Sequence, residues 1–244
     1  MSKDKNTFYA PVLVALLLVA TFFVGRLSAQ VGQMSGSKAE GTANPSVTPT
    51  STESKISVKN LKAMAKDLGL DGTKFNKCLD DGTMASKVKE QSDEGTKLGV
   101  SGTPSFLING VLIVGSLPQT SFESVIDAEL KNGGAVAAAK ALGEQTVTRQ
   151  KIATQGTGYI KGNKDAKIKI VEYTDFECPY CNKSFPTIEA LLAKYGNQVS
   201  LEYRSFPLSF HADAQKAAEA ALCAGEQGKF WEMHDKMFTV MGQD

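Results

Sequence analysis

Apolar positions are densest between Phe8 and Gly25, an uncharged run of 18 residues. As a helix this run is about 27 Å long, enough to cross a bilayer core. Lys3 and Lys5 precede it and favour a cytoplasmic N-terminus. Residues 1–29 therefore read as a retained membrane anchor. A cleaved signal peptide is the competing reading, although Leu27-Ser28-Ala29 beside Arg26 makes a poor cleavage site. Both readings place the rest of the chain outside the cytoplasm. Residues 30–54, rich in Ser, Thr, Gly and Pro and without an apolar period, read as a flexible tether.

From Ser57 the spacing turns helical, with Val58, Leu61, Ala65 and Leu68 on one face and Gly69 as the stop. Shorter helices are expected over 73–79 and 84–98. Two apolar runs, 105–108 and 111–114, flank Asn109-Gly110, a strong hairpin signal. A helix over 118–130 follows, with Phe122, Val125, Ile126 and Leu130 on one side. Residues 132–157 read as a joining linker that carries a short helix near 136–142. The remainder predicts a strand over 168–173, a helix to about Tyr195, a strand over 199–206, and helices over 211–224 and 229–241. The overall pattern is α/β.

The 27 basic and 26 acidic residues give a net charge of +1, and nothing in that balance suggests nucleic acid or a polybasic membrane surface. Four cysteines, an even number, suit an exported domain. Two of them form Cys178-Pro179-Tyr180-Cys181, between a predicted strand and a predicted helix. Free backbone N–H groups at a helix start favour thiolate over thiol, and Pro179 tolerates the first turn because no N–H is needed there. This reads as a redox dithiol. A four-cysteine zinc site is the alternative, against which stands the single Cys-x-x-Cys.

Several segments together resemble DsbA-type thiol-disulfide oxidoreductases: Phe176-Glu177-Cys178-Pro179-Tyr180-Cys181, Phe206-Pro207, Ala220-Ala221-Leu222-Cys223-Ala224 and Phe230-Trp231-Glu232-Met233-His234-Asp235. So do Phe75-Asn76-Lys77-Cys78-Leu79, Val100-Ser101-Gly102-Thr103-Pro104-Ser105-Phe106 and Asn109-Gly110. The resemblance implies a thioredoxin-like fold with a helical insertion, but in circularly permuted order. Residues 55–131 look like the C-terminal half of such a domain and 158–244 like its N-terminal half. Closure within one chain is expected, with a domain-swapped dimer or two unrelated half-domains as alternatives. The resemblance further implies a cis Thr103-Pro104 bond facing the dithiol, where the Thr103 backbone would pair with an extended substrate. Pro179 and Tyr180 would complete the substrate contacts. Cys78 and Cys223, each in an insertion helix, read as a structural disulfide, with a relay dithiol as the alternative.

Glu172 matches an acidic family position and would take the proton of Cys181, unless it is a surface strand residue. Asp175 and Glu177 read as solvated, and neither His211 nor His234 is expected near the motif. Tyr180 stands where the strongest oxidants of the family carry histidine, which predicts a less stabilised Cys178 thiolate.

The expected function is that of an extracytoplasmic, membrane-anchored thiol-disulfide oxidoreductase in which Cys178 exchanges and Cys181 resolves. A disulfide-forming oxidase is the leading reading. A reductase or isomerase of the same fold, or a non-catalytic tethered binding module, are the alternatives. Expected partners are exported cysteine-containing proteins and a quinone-linked or other membrane redox protein. No cofactor is needed, because the cysteines carry the electrons.

Overall fold

The structure is a computed structural model that describes residues 53–143, 148–153 and 158–243. The anchor segment and nearly all of the tether lie outside the described residues. No described helix is long and apolar enough to cross a membrane.

Three helices come first: α1 (Val58–Asp67), α2 (Gly72–Asp80) and α3 (Ala85–Lys97). Ser57 and Asp71 cap the first two, their side chains accepting from the N–H groups of Asn60 and Lys74. The hairpin β1 (Ser105–Ile108) and β2 (Val111–Val114) turns at Asn109 and Gly110, which take φ of 45° and 83° as a tight hairpin requires. Helices α4 (Gln119–Asn132) and α5 (Ala135–Ala141) complete the first half. The second half comprises β3 (Ile160–Gly162), β4 (Ile168–Thr174), α6 (Pro179–Tyr195), β5 (Val199–Ser205), α7 (Ala214–Gly225) and α8 (Phe230–Met241).

Both halves contribute to a single sheet within this one chain, ordered β2-β1-β4-β5-β3. β4 and β5 run parallel, while β1 pairs antiparallel with β4, placing Phe106 opposite Glu172. Side chains alternate across β4. Ile168 and Ile170 pack with Phe122, Val125 and Ile126 of α4 and with Ile188 and Leu191 of α6. Val171 and Tyr173 face the other way, against Leu98 and Val100 beyond the end of α3. There α3 lies close to the sheet: a Cβ on Gly95 would sit 2.7 Å from the Tyr173 ring, so only glycine fits. Beneath α3, the buried Arg204 is neutralised by Glu202 at 2.8 Å and Glu94 at 3.3 Å.

α1, α2, α7 and α8 share a second core, built on Leu61, Phe75, Leu79, Ala221, Met233 and Phe238. The disulfide Cys78–Cys223, with Cα atoms 5.9 Å apart, joins α2 to α7 across that core. It links the two halves of the chain covalently.

Several expected boundaries shift. The segment between the halves is not merely a tether: Ala135 and Ala139 of α5 are buried in the sheet core. Beyond it, Arg149 pairs with Glu129 at 2.8 Å, and the Gln150 N–H donates to the Gly110 carbonyl. Short β3 was not expected, because three residues are too few for a visible period. The largest correction is at α7, which starts at Ala214 rather than His211. The apolar period of that helix begins at Ala214, Ala217 and Ala218, so the three residues before it belong to the loop.

Candidate active site

β4 and the Asp175-Phe176-Glu177 turn deliver Cys178 to the N-cap of α6, and Pro179 occupies the first helical position. Both cysteines are free thiols. Cys178 retains 4% exposure, whereas Cys181 is fully buried one turn along the helix. The Thr103-Pro104 bond is cis and lies across from the dithiol, with Cys178 Sγ 3.5 Å from the Thr103 carbonyl. The two halves of the chain meet at this contact.

The Cys178 thiol is lowered to about 5. The main cause is the hydrogen bond from the Cys181 thiol, and burial opposes it. Thr103 and the N–H groups of Cys181 and Tyr180 add to the lowering. The Thr103 hydroxyl has no other partner among the described residues and is free to turn to the thiolate. Cys181 is driven upward, first by burial, then by its hydrogen bond to Cys178 and the charge there. The pair is thus divided into one ready thiolate and one thiol that keeps its proton. The depression of Cys178 arises without an imidazole between the two cysteines.

Glu172 is buried at 4% exposure on the face of β4 that looks toward α6, not on the surface. Burial pushes its carboxyl up to about 8, with the Thr174 hydroxyl opposing and the Glu189 charge adding to the rise. Lys161, bonded to Glu189 at 2.8 Å and Asp235 at 3.0 Å, counters it in part. The folded protein therefore holds a proton on Glu172 that the unfolded chain has already lost above its ordinary value of 4.5. Stability from this group is complete below that pH and is lost as pH rises toward 8, at up to about 1.4 kcal/mol per pH unit. Glu172→Gln should flatten this decline and leave the variant more stable than the wild type at pH 8. Urea unfolding at pH 5 and pH 8 checks it, and parallel slopes for the two proteins would refute it.

Two further corrections concern charged neighbours. Asp175 is buried rather than solvated, and its carboxylate accepts from the N–H groups of Glu177 and Leu208 at 2.8 and 2.9 Å. It also bonds His211 Nδ1 at 2.7 Å. His211 accordingly lines a groove of about 350 Å³ with Cys178, Pro179, Tyr180, Thr103 and Phe210, contrary to its expected place in a helix. Tyr180 and Phe210 stand exposed at 62% and 77% on the groove. The sequence signal for His211 was present in the loop that follows Phe206-Pro207, but the helix start had been placed too early. His234 packs as expected, edge-on to the rings of Phe176, Trp231 and Phe238 and bonded to Asp235.

Two sequence families match this chain. A DSBA-like thioredoxin domain matches residues 50–127, the half that carries the cis-proline loop. A family described as Thioredoxin matches residues 154–243, the half that carries the dithiol. Together the two matches support a DsbA-like thioredoxin-fold family for this chain. Its similarity to curated proteins is partial. It is 44% identical over 86 residues to the Na(+)/H(+) antiporter NhaA 1 of Salinispora arenicola, covering 35% of this chain and 13% of that protein. It is 49% identical over 82 residues to the Na(+)/H(+) antiporter NhaA 3 of Salinispora tropica, covering 33% of this chain and 12% of that protein. A third relative, from Herminiimonas arsenicoxydans, is 37% identical over 81 residues. The chain thus spans about an eighth of the length of these relatives.

Proposed function

We propose that this DsbA-like chain is a membrane-anchored, extracytoplasmic thiol-disulfide oxidoreductase that forms disulfides in exported proteins. The observation that carries the reading is the division of the dithiol, with Cys178 lowered to about 5 beside a buried Cys181 driven upward. A stabilised thiolate favours the reduced form of the enzyme, which makes its disulfide more oxidising by some tens of millivolts. Cys178 is the sulfur that substrates reach, Cys181 resolves the mixed disulfide, and Glu172 handles the Cys181 proton. Thr103 and Pro104 hold the substrate strand, and Pro179 and Tyr180 contact it. No bound cofactor takes part, since the electrons stay on sulfur.

The chain order supports a circular permutant in which residues 55–131 are the family's later half and 158–244 its earlier one. The run from Phe8 to Gly25 supplies the anchor and holds the domain near a quinone-linked or other membrane redox partner. The match to antiporters covers too little of those proteins to bring ion transport to this chain.

Equilibration with glutathione tests the direction of electron flow. An oxidase should titrate at the less negative end of the family range, about −180 to −120 mV. A value near −270 mV would instead favour the reductase. A dithiol that does not titrate at all would leave only a binding module.

A further inference from the structure

The incoming substrate thiol needs a base. A free thiol ionises at about 8.5, so near neutral pH only a few per cent is the nucleophilic thiolate. Glu172 and Cys181 are buried, and neither lines the groove through which a substrate thiol arrives. Among the described side chains that line the groove, the ionisable ones are Cys178, Tyr180 and His211. Cys178 is the sulfur under attack, and a phenol is a proton donor rather than a base. That leaves the imidazole.

His211 is held for this task. Its Nδ1 lies 2.7 Å from Asp175 Oδ2, and the Asp175 side chain is fully buried. A carboxylate only accepts, so Nδ1 carries a hydrogen, and in the neutral ring the lone pair is then on Nε2. Asp175 is itself fixed by the N–H groups of Glu177 and Leu208, and its carbonyl accepts from the Cys178 N–H. One residue therefore sets both the imidazole and the nucleophile's backbone. Phe210 packs edge-on to the ring at 4.6 Å. The charged groups around this loop are Asp175 itself, Glu177 (which accepts from the Asp213 N–H) and Asp213.

Building on the oxidase reading above, we infer that His211 is a catalytic base for the substrate thiol, oriented by Asp175. The substrate S–H gives its proton to Nε2 while its sulfur attacks Cys178 Sγ. The Cys178–Cys181 bond breaks, and Cys181 leaves and takes up a proton. The second substrate thiol then attacks the mixed disulfide and expels Cys178 as thiolate. Two electrons pass from substrate to dithiol. Of the two substrate protons, one is matched on Cys181 and the other leaves through His211 to solvent.

The test is the rate at which the oxidised full chain oxidises a short two-cysteine peptide between about pH 6 and pH 9.5, for the wild type, His211→Gln and His211→Ala. Glutamine keeps a donor for Asp175 but is no base. His211→Gln should be slower by roughly 10- to 100-fold near pH 6.5, where only about 1% of a free thiol is ionised. It should converge on the wild type above about pH 9, where peptide thiols ionise unaided. Added imidazole should restore part of the His211→Ala rate. A deficit equal at every pH, or none at pH 6.5, would overturn the inference while leaving the oxidase reading intact. A wild type that oxidises no peptide at any pH would overturn both.

Discussion

Cys181→Ser should turn this protein into a covalent trap. Once a one-cysteine peptide is joined to Cys178, neither Cys181 nor a second substrate thiol is there to displace it, so a mixed disulfide should accumulate and survive on a non-reducing gel. Cys178→Ser should form no adduct, because Cys181 is fully buried and holds its proton. In both variants peptide oxidation should fall to the uncatalysed rate. The asymmetry comes from the geometry of α6. Position 178 is the cap, where the N–H groups of Tyr180 and Cys181 converge on the sulfur, and position 181 is one turn inside. Mass spectrometry decides the matter after incubation with a one-cysteine peptide carried as its mixed disulfide with glutathione: the Cys178 thiolate attacks the peptide sulfur, and glutathione leaves as the thiol. Adducts on both variants in equal amounts would sink the assignment of attacking and resolving roles.

Removing the second disulfide should cost the domain much of its stability. Cys78 and Cys223 are separated by 145 positions. Loop-closure entropy for a segment of that length is worth about 5 kcal/mol on the chain-entropy model. For a domain of this size each kcal/mol moves the melting temperature by about 2–4 °C. Cys78→Ala with Cys223→Ala should therefore melt at least about 10 °C lower, while its Cys178 thiolate still absorbs as in the wild type. The expected loss exceeds that of an ordinary core change because the bridge crosses between halves. On one side it holds α2, with Phe75 and Leu79 in the core, and on the other α7. A double variant that melts within a degree or two of the wild type would show the packing of α2 on α7 to be sufficient by itself.

Much of this was legible in the chain. The hairpin matched its expected limits because Asn109-Gly110 is a turn with one dominant geometry. The cap position of Cys178 followed from Pro179, which is tolerated at the start of a helix and disfavoured within it. What escaped sequence reasoning depended on tertiary position. Asp175 looks like any acidic residue near a surface turn. Its burial follows from the loop after β5 folding back over it, where Leu208 and His211 bond its carboxylate. His211 lies 33 positions beyond Cys178 (211 − 178), and no local period links the two. The short helix near 136–142 was legible, but its burial was not, because the pattern of Ala135 and Ala139 is weak until the sheet they cover is known.

Chain order has a further consequence for the way this molecule must be made. A polypeptide emerges N-terminus first, and folding begins on what has emerged. Cys78 appears early, followed by Cys178 and Cys181, and its true partner Cys223 comes last of the four. The hairpin likewise waits for β4, the strand that anchors it in the sheet. During synthesis the first thiol therefore meets the catalytic pair before it meets its mate. Any bridge that Cys78 forms with that pair would have to be undone by an exchange reaction of the same kind the finished domain is built to perform.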